Sequence, residues 1–330
     1  MRLSTFPAVL AALGRLTYAA SSQGCNKTSA APTLEKRVTV ELAANKSRSF
    51  MYWLPPNYDP KTPAPIIISY HGVRQSPTKQ ANLDQFDNTR FNTDMIAVYP
   101  QAVTPPGSDE VMWQGPRKAT QDDIGFTMEI LDQLEEEFCV DTDRIYASGK
   151  SEGAGFVGML ACNSTSNARI AAFAPVSGAF YPGHNDGMSD KCKDEVPVPC
   201  SPMRCNIPFL EFHGGADFLA PIEGGLHRHE CLPDIRTYMR QWAQRDKLDT
   251  EPTEVYNLTD VAQVNKYDDK GTVTFVYDGD KVGHDWPWTV ENPDTKRAHS
   301  KPASFNATSY IMEWFGNFTL APPDNCNATV

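Results

Sequence analysis

The chain has no excess of basic charge. Its 330 residues carry 30 lysines and arginines against 41 aspartates and glutamates, a formal net charge of -11, and no basic run could neutralise a phosphate backbone. Nucleic acid is therefore not an expected partner. Long apolar runs are missing too: no stretch reaches the roughly 18 to 20 uninterrupted apolar residues that a membrane-spanning helix needs, so no membrane partner is expected. Nor is there a pair of Cys-x-x-Cys knuckles, the spacing that would point to structural zinc. Neither a metal nor a cofactor is implied. Internal repeats are absent, as is any long low-complexity linker that would set off a second module.

What is present points outside the cell. Eight cysteines, an even number, accompany seven Asn-x-Ser/Thr sequons at Asn26, Asn45, Asn163, Asn257, Asn306, Asn317 and Asn327. Together they favour disulfides over metal ligation. Met1 and Arg2 precede a mostly apolar stretch from Leu3 to Leu16, interrupted by Pro7 and Arg15, and then the small residues Ala19, Ala20, Ser21 and Ser22. That pattern predicts a secretory signal over residues 1–20, with residues 21–330 forming one catalytic domain. The turn-rich stretch Gly183 to Arg204 lies between two apolar runs and is expected to be a surface insertion.

Short apolar, β-rich runs recur at Val38 to Leu42, Ser49 to Leu54, Ile66 to Tyr70, Met95 to Tyr99, Arg144 to Ser148, Ala171 to Val176, Phe209 to His213 and Val273 to Tyr277. Helical spacing appears between or after them at Ile130, Leu131, Leu134 and Phe138, at Ile235, Tyr238, Met239 and Trp242, and at Tyr310, Ile311, Trp314 and Phe315. Strands interleaved with helices predict an α/β fold: a mainly parallel eight-stranded sheet with helices on both faces.

Gly149-Lys150-Ser151-Glu152-Gly153 follows the fifth of these strands and precedes a small-residue helix start. This is the G-x-S-x-G nucleophile elbow of α/β-hydrolases, where small residues let the chain reverse and hold the serine in a strained conformation. A serine hydroxyl needs a neighbouring base, and the base needs a carboxylate to fix its tautomer. The chain order serine, acid, histidine restricts the base to His227, His229, His284 or His299. His284 is preferred because Val282-Gly283-His284 follows the last strand. Asp217 is the expected acid, because it ends a strand and a glycine turn; Glu211, Glu223 and Asp234 are expected to be structural or solvated. Two backbone N–H groups complete the site, those of Glu152 and of Val73 in the loop opened by His71-Gly72.

These segments resemble the fungal feruloyl esterases of carbohydrate esterase family 1, and more loosely the extracellular polyhydroxybutyrate depolymerases and acetyl xylan esterases. The matching stretches are Tyr70-His-Gly72, Tyr99-Pro-Gln101, Trp113-Gln-Gly115, Asp122 to Phe126, Arg144 to Phe156, Arg169 to Gly178, Glu211 to Gly215 and Gly283-His284. The resemblance implies hydrolysis, by a monomer, of esters linking phenolic acids to arabinose, with feruloylated arabinoxylan or pectin fragments as partners. Two loops depart from the family pattern. Asp217 to Ile222 lacks the usual tyrosine, and the histidine loop carries Asp285 and Trp288. Aromatic residues on loops expected near Ser151, namely Trp113, Tyr181, Phe218, Trp286 and Trp288, are the candidate substrate-binding residues. Acetyl xylan esterase, polyester depolymerase and a non-catalytic binding protein are the alternatives.

One disulfide follows from geometry. The strand into the elbow rises about 3.3 Å per residue and the helix out of it returns about 1.5 Å per residue, so Cys139 and Cys162 reach the same height at the far edge of the sheet and are expected to pair.

Overall fold

The computed structural model describes residues 20–27, 33–44, 47–182, 192, 196, 198–228, 230–298 and 300–321. The expected signal segment, apart from Ala20, lies outside the described residues, as do His229 and His299. In chain order the elements are β1 (Arg37–Glu41), β2 (Ser49–Trp53), β3 (Ala64–Tyr70), α1 (Pro77–Asp84), β4 (Ile96–Pro100), α2 (Asp123–Glu137), β5 (Val140–Lys150), α3 (Glu152–Cys162) and α4 (Ser164–Asn167). They continue with β6 (Ala172–Val176), β7 (Phe209–His213), β8 (Gly225–His227), β9 (Glu230–Leu232), α5 (Ile235–Arg245), β10 (Glu254–Asn257), β11 (Gln263–Lys266), β12 (Val273–Tyr277), α6 (Pro293–Ala298) and α7 (Ala307–Phe315).

The main sheet has ten strands in the order β1-β2-β4-β3-β5-β6-β7-β12-β11-β10. Its middle, from β4 to β12, is parallel. These strands read as unbroken apolar runs because both faces are covered: Ile66, Ile68 and Tyr70 of β3 pack on one side with Leu131, Leu134, Phe156 and Trp242. Ile67 of the same strand points the other way, towards the side where Ala81, Leu83, Ile311 and Phe315 pack. Thus α2, α3 and α5 cover one face, and α1 and α7 the other. The eight expected strands are all present; the correction is to their number. Beyond β12 the sheet continues through antiparallel β11 and β10, whose half-exposed, polar sequences carry a cross-strand ion pair of Lys266 with Glu254 at 3.0 Å. Such charged edges leave little apolar signal.

The cysteine pairing also differs from expectation. Cys139 bonds Cys25, Cys162 bonds Cys200, and Cys192 bonds Cys231; Cys205 is disulfide-bonded as well. Equal height along the sheet does not fix lateral position. The helix α3 crosses from β5 towards β6, carrying Cys162 to the later part of the insertion. Cys139 instead meets the N-terminal segment, where Ser22 N–H donates to the Val140 carbonyl at 3.0 Å and Thr142 N–H to that of Ala20 at 2.9 Å. Of the stretch Gly183 to Arg204, expected to be a surface insertion, 183–191, 193–195 and 197 lie outside the described residues; at its end Ser201 and Met203 are exposed, while Arg204 is buried and donates to the carbonyls of Asn167, Ile170 and Ala171.

Candidate active site

Ser151 sits between β5 and α3 at φ 59, ψ -119, a conformation in the left-handed half of the map that a serine holds only when its surroundings impose it. The imposition is steric. A Cβ at Gly153 would lie 2.3 Å from the Tyr70 carbonyl oxygen, and one at Gly149 would lie 2.9 Å from Gly153 and from Tyr70. The elbow thus presses directly on the end of β3, and the serine amide is tied down by donation to the Val176 carbonyl at 3.0 Å.

The acid and the base come from two loops in backbone contact. A Cβ at Gly214 would lie 2.3 Å from the Val282 carbonyl oxygen, and Ala216 N–H donates to that same oxygen at 2.9 Å. This close approach places Asp217 Oδ2 2.7 Å from His284 Nδ1, while Asp217 Oδ1 accepts from the Leu219 and Ala220 amides at 2.9 and 2.8 Å. Burial alone would raise the Asp217 carboxyl; the bond from His284, the charges of His284 and His213, and the Ala220 amide bring it below its ordinary value. Burial, and after it the nearby Lys150 ammonium, pushes the His284 imidazole down to about 4. A neutral imidazole whose Nδ1–H is held by a carboxylate presents Nε2 as a base.

Of the expected amide donors, Val73 lines the same cavity as Ser151, and Glu152 directly follows the nucleophile in the chain. Glu152 is the first residue of α3, where an N–H has no partner within the helix. The other loop is fixed by His71. Its Nε2 accepts from Ala102 N–H at 3.2 Å, so its Nδ1 carries the proton and donates to the Gly72 carbonyl at 2.8 Å. In a trans peptide the N–H points opposite to the C=O, so the Val73 N–H is turned away from His71. A Cβ at Gly72 would be only 3.4 Å from Ser151 Cβ, which sets this loop against the nucleophile.

Ser151 and His284 open onto a cavity of about 310 Å³ whose walls include Gly72, Val73, Lys79, Leu219, Asp294 and Arg297. None of the five candidate substrate-binding aromatics lines it. Trp113 and Trp286 are fully buried, and their assignment to substrate is corrected. Trp113 props the loop by donating Nε1–H to the His71 carbonyl at 2.7 Å and stacking on Phe156. Trp286 donates to Thr308 Oγ1 and packs edge-on to Phe86. Tyr181 is buried facing His227, and Trp288 is half-buried. Phe218, beside the cavity-lining Leu219, is 72% exposed. His227 stands in β8, facing Tyr181 and bonded to neither Asp217 nor Ser151 among the described hydrogen bonds.

Sequence reasoning passed over His213 and the side chain of Glu152. His213 Nε2 lies 3.4 Å from Asp217 Oδ2, and its Nδ1 lies 2.9 Å from Glu211 Oε1; although burial favours the neutral ring, Glu211 and Asp217 hold His213 above the ordinary histidine range. Glu211, read as structural, also accepts from Gly178 N–H. Asp234 caps α5 by accepting from Thr237 N–H. The Glu152 side chain accepts from Trp113 N–H at 2.8 Å and is pushed up to about 8 by burial. Charged residues in an otherwise small-residue elbow were the available signal.

The fold and this constellation define an α/β-hydrolase with a serine elbow. No protein-family model matches the chain. Its curated relatives include feruloyl esterase D of Neurospora crassa, 31% identical over 193 residues, which cover 55% of this chain and 62% of that protein. Feruloyl esterase C of Emericella nidulans is 27% identical over 233 residues, 68% of this chain and 73% of that protein. The resemblance to fungal feruloyl esterases therefore stands, although the chain spans less than two thirds of the length of the Neurospora protein. Among solved structures, an acetyl xylan esterase from Aspergillus awamori superposes with a TM-score of 0.57 at 15% identity, covering 86% of this chain and 98% of that one. That likeness concerns the fold.

Proposed function

We propose that this chain is a secreted serine carboxylic ester hydrolase that releases hydroxycinnamoyl groups, ferulate above all, from plant cell-wall polysaccharides such as arabinoxylan or pectin. The observation that carries the reading is the strained Ser151 opening onto one cavity with a neutral His284 bonded to Asp217. The relatives named feruloyl esterases support the acyl group. Disulfides and sequons support an extracellular address for this enzyme, which the proposal takes as a single-domain monomer preceded by a signal segment.

In this mechanism His284 Nε2 removes the Ser151 proton as Oγ attacks the ester carbonyl. The Val73 and Glu152 N–H groups receive the oxyanion, and Asp217 stabilises the imidazolium that forms. The imidazolium then protonates the departing sugar oxygen, leaving an acyl-Ser151 ester. Water attacks that ester by the same sequence in reverse, with His284 again as base, and the free acid leaves.

The cavity beside Ser151 has charged walls of both signs together with polar and aliphatic ones, which suits the sugar side of the ester. Phe218 and Leu219 on the neighbouring loop offer the apolar surface for the ring. The absence of aromatic walls in the described cavity favours, as a second reading, an acetyl ester. Comparing kcat/KM for methyl ferulate with that for an aliphatic methyl ester separates them. The proposal expects a preference of at least about tenfold for ferulate, the roughly 1.4 kcal/mol that one stacked ring supplies. Equal rates would leave the serine esterase and remove the feruloyl assignment.

A further inference from the structure

Lys150 immediately precedes the nucleophile and has no place in the triad, yet it is only 4% exposed. An ammonium leaves water at a cost of several kcal/mol unless partners replace its hydration. Here the partners are specific. Lys150 Nζ donates to the main-chain carbonyl of His284 at 2.9 Å and pairs with Asp294 Oδ2 at 2.8 Å. The same Asp294 oxygen accepts from the Trp286 N–H at 3.1 Å, and its other oxygen pairs with Arg297 at 3.0 Å. The segment from His284 to Trp286 is thus gripped at its carbonyl by the elbow and at its amide by α6, and the two grips are joined by one ion pair.

We propose that Lys150 and Asp294 form a buried clamp that positions the catalytic histidine over Ser151 and balances the charge its ring faces, with Lys150 a positioning residue that acts through His284. This rests on the reading of Ser151, Asp217 and His284 as a hydrolytic triad. The clamp explains why a long cation stands among the small residues of the elbow: it reaches a loop some 134 positions later in the chain.

The charged and titratable groups around His284 are Lys150 at the end of β5, Asp217 after β7 with His213 behind it, Asp285 next in the chain, and Asp294 in α6. After burial, Lys150 is the largest influence holding the imidazole neutral, while Asp217 and Asp294 oppose it. Removing the lysine charge also leaves Asp294 with Arg297 alone, so both changes favour the imidazolium. Removing the Asp294 charge leaves Lys150 without its buried counter-ion, which disfavours the imidazolium. Opposite substitutions should therefore move the acid limb of activity in opposite directions.

The test uses the full chain with Lys150→Met, Lys150→Arg and Asp294→Asn. Hydrolysis of methyl ferulate is followed by chromatography, so that the signal does not depend on pH, and kcat/KM is measured from pH 3 to 9. Lys150→Met should raise the acid limb by about one pH unit and lower kcat about tenfold with little change in KM. Asp294→Asn should lower the acid limb, and Lys150→Arg should restore most of the kcat lost in Lys150→Met. Unmoved limbs, or limbs moving the same way in Lys150→Met and Asp294→Asn, would overturn the clamp. Should Lys150→Met not fold, the downward shift in Asp294→Asn decides the matter, with an unmoved or raised limb contradicting the proposal. If the wild-type protein hydrolyses no ester, it is the triad reading that fails.

Discussion

The floor and the rim of the site are built by different means. On the floor, Gly149, Ser151 and Gly153 are pressed against β3, and Asp217, Lys150 and Asp294 are buried with their charged atoms paired, Asp217 to the Nδ1 of the buried His284. At the rim, Phe218, Leu219 and Leu226 are exposed, and Arg74 and Arg228 meet Glu110 at the surface. The floor has one solution because backbone atoms leave no room for another. The rim is held by contacts that each contribute little. Chemistry should therefore be intolerant of change on the floor, and selectivity adjustable at the rim.

Substitutions on the floor should give the largest losses. Ser151→Ala and His284→Ala are each expected to lower ester hydrolysis by about 10³ or more with the circular dichroism unchanged, since members of a triad act as a unit. Asp217→Asn should cost less, because the base remains and only its orientation is lost. Gly153→Ala tests the steric argument: with a Cβ 2.3 Å from the Tyr70 carbonyl, it should lower stability by about 3 kcal/mol in denaturant titration and inactivate the folded fraction.

The pH response sharpens the same contrast. His284 must be neutral to accept the serine proton, and its pKa of about 4 predicts kcat/KM nearly level from pH 7 to 5 and falling below about 4. An acid limb near 6.5 would mean that the ring is far more solvated than the structure has it. Glu152 titrates in the opposite sense. Its carboxyl is held up to about 8 from an ordinary 4.5, so its contribution to stability is complete below 4.5 and is lost as pH rises through 8. Glu152→Gln keeps an acceptor for Trp113 N–H. Its melting temperature should therefore gain on the wild type between pH 5 and pH 9, a gain that differential scanning at the two values would detect.

At the rim the effects should be small and selective. Phe218→Ala is expected to lower kcat/KM for methyl ferulate about threefold to tenfold while leaving an acetyl ester nearly unaffected. Equal losses on both esters would place Phe218 in the loop's packing and away from the ring.

The same division governed what the sequence revealed. Apolar runs such as Ile66 to Tyr70 and Phe209 to His213 announce strands covered on both faces, and the elbow carries its steric signature in its glycines. The strands β10 and β11 pair through polar, half-exposed residues, and α1 turns Gln80 and Asp84 inward to bond Ser69 and Tyr99, so neither shows a clear apolar period. Aromatic residues near a motif look alike whether they bind or pack, and Trp113 and Trp286 pack. Lys150 was legible as an oddity, a cation at the buried end of a strand, but its partners lie in a loop that only the fold brings near. Glycine is required by close approach at Gly214 and not at Gly283, where a Cβ would meet nothing nearer than 3.7 Å.

The central claim is that Ser151 is the nucleophile of an esterase, and covalent labelling tests it most directly. Incubated with a fluorophosphonate and digested, the protein should carry one equivalent of label on the peptide containing Ser151, with hydrolysis of methyl ferulate lost in proportion to labelling. Label on another residue, or full labelling of Ser151 with hydrolysis intact, would contradict it.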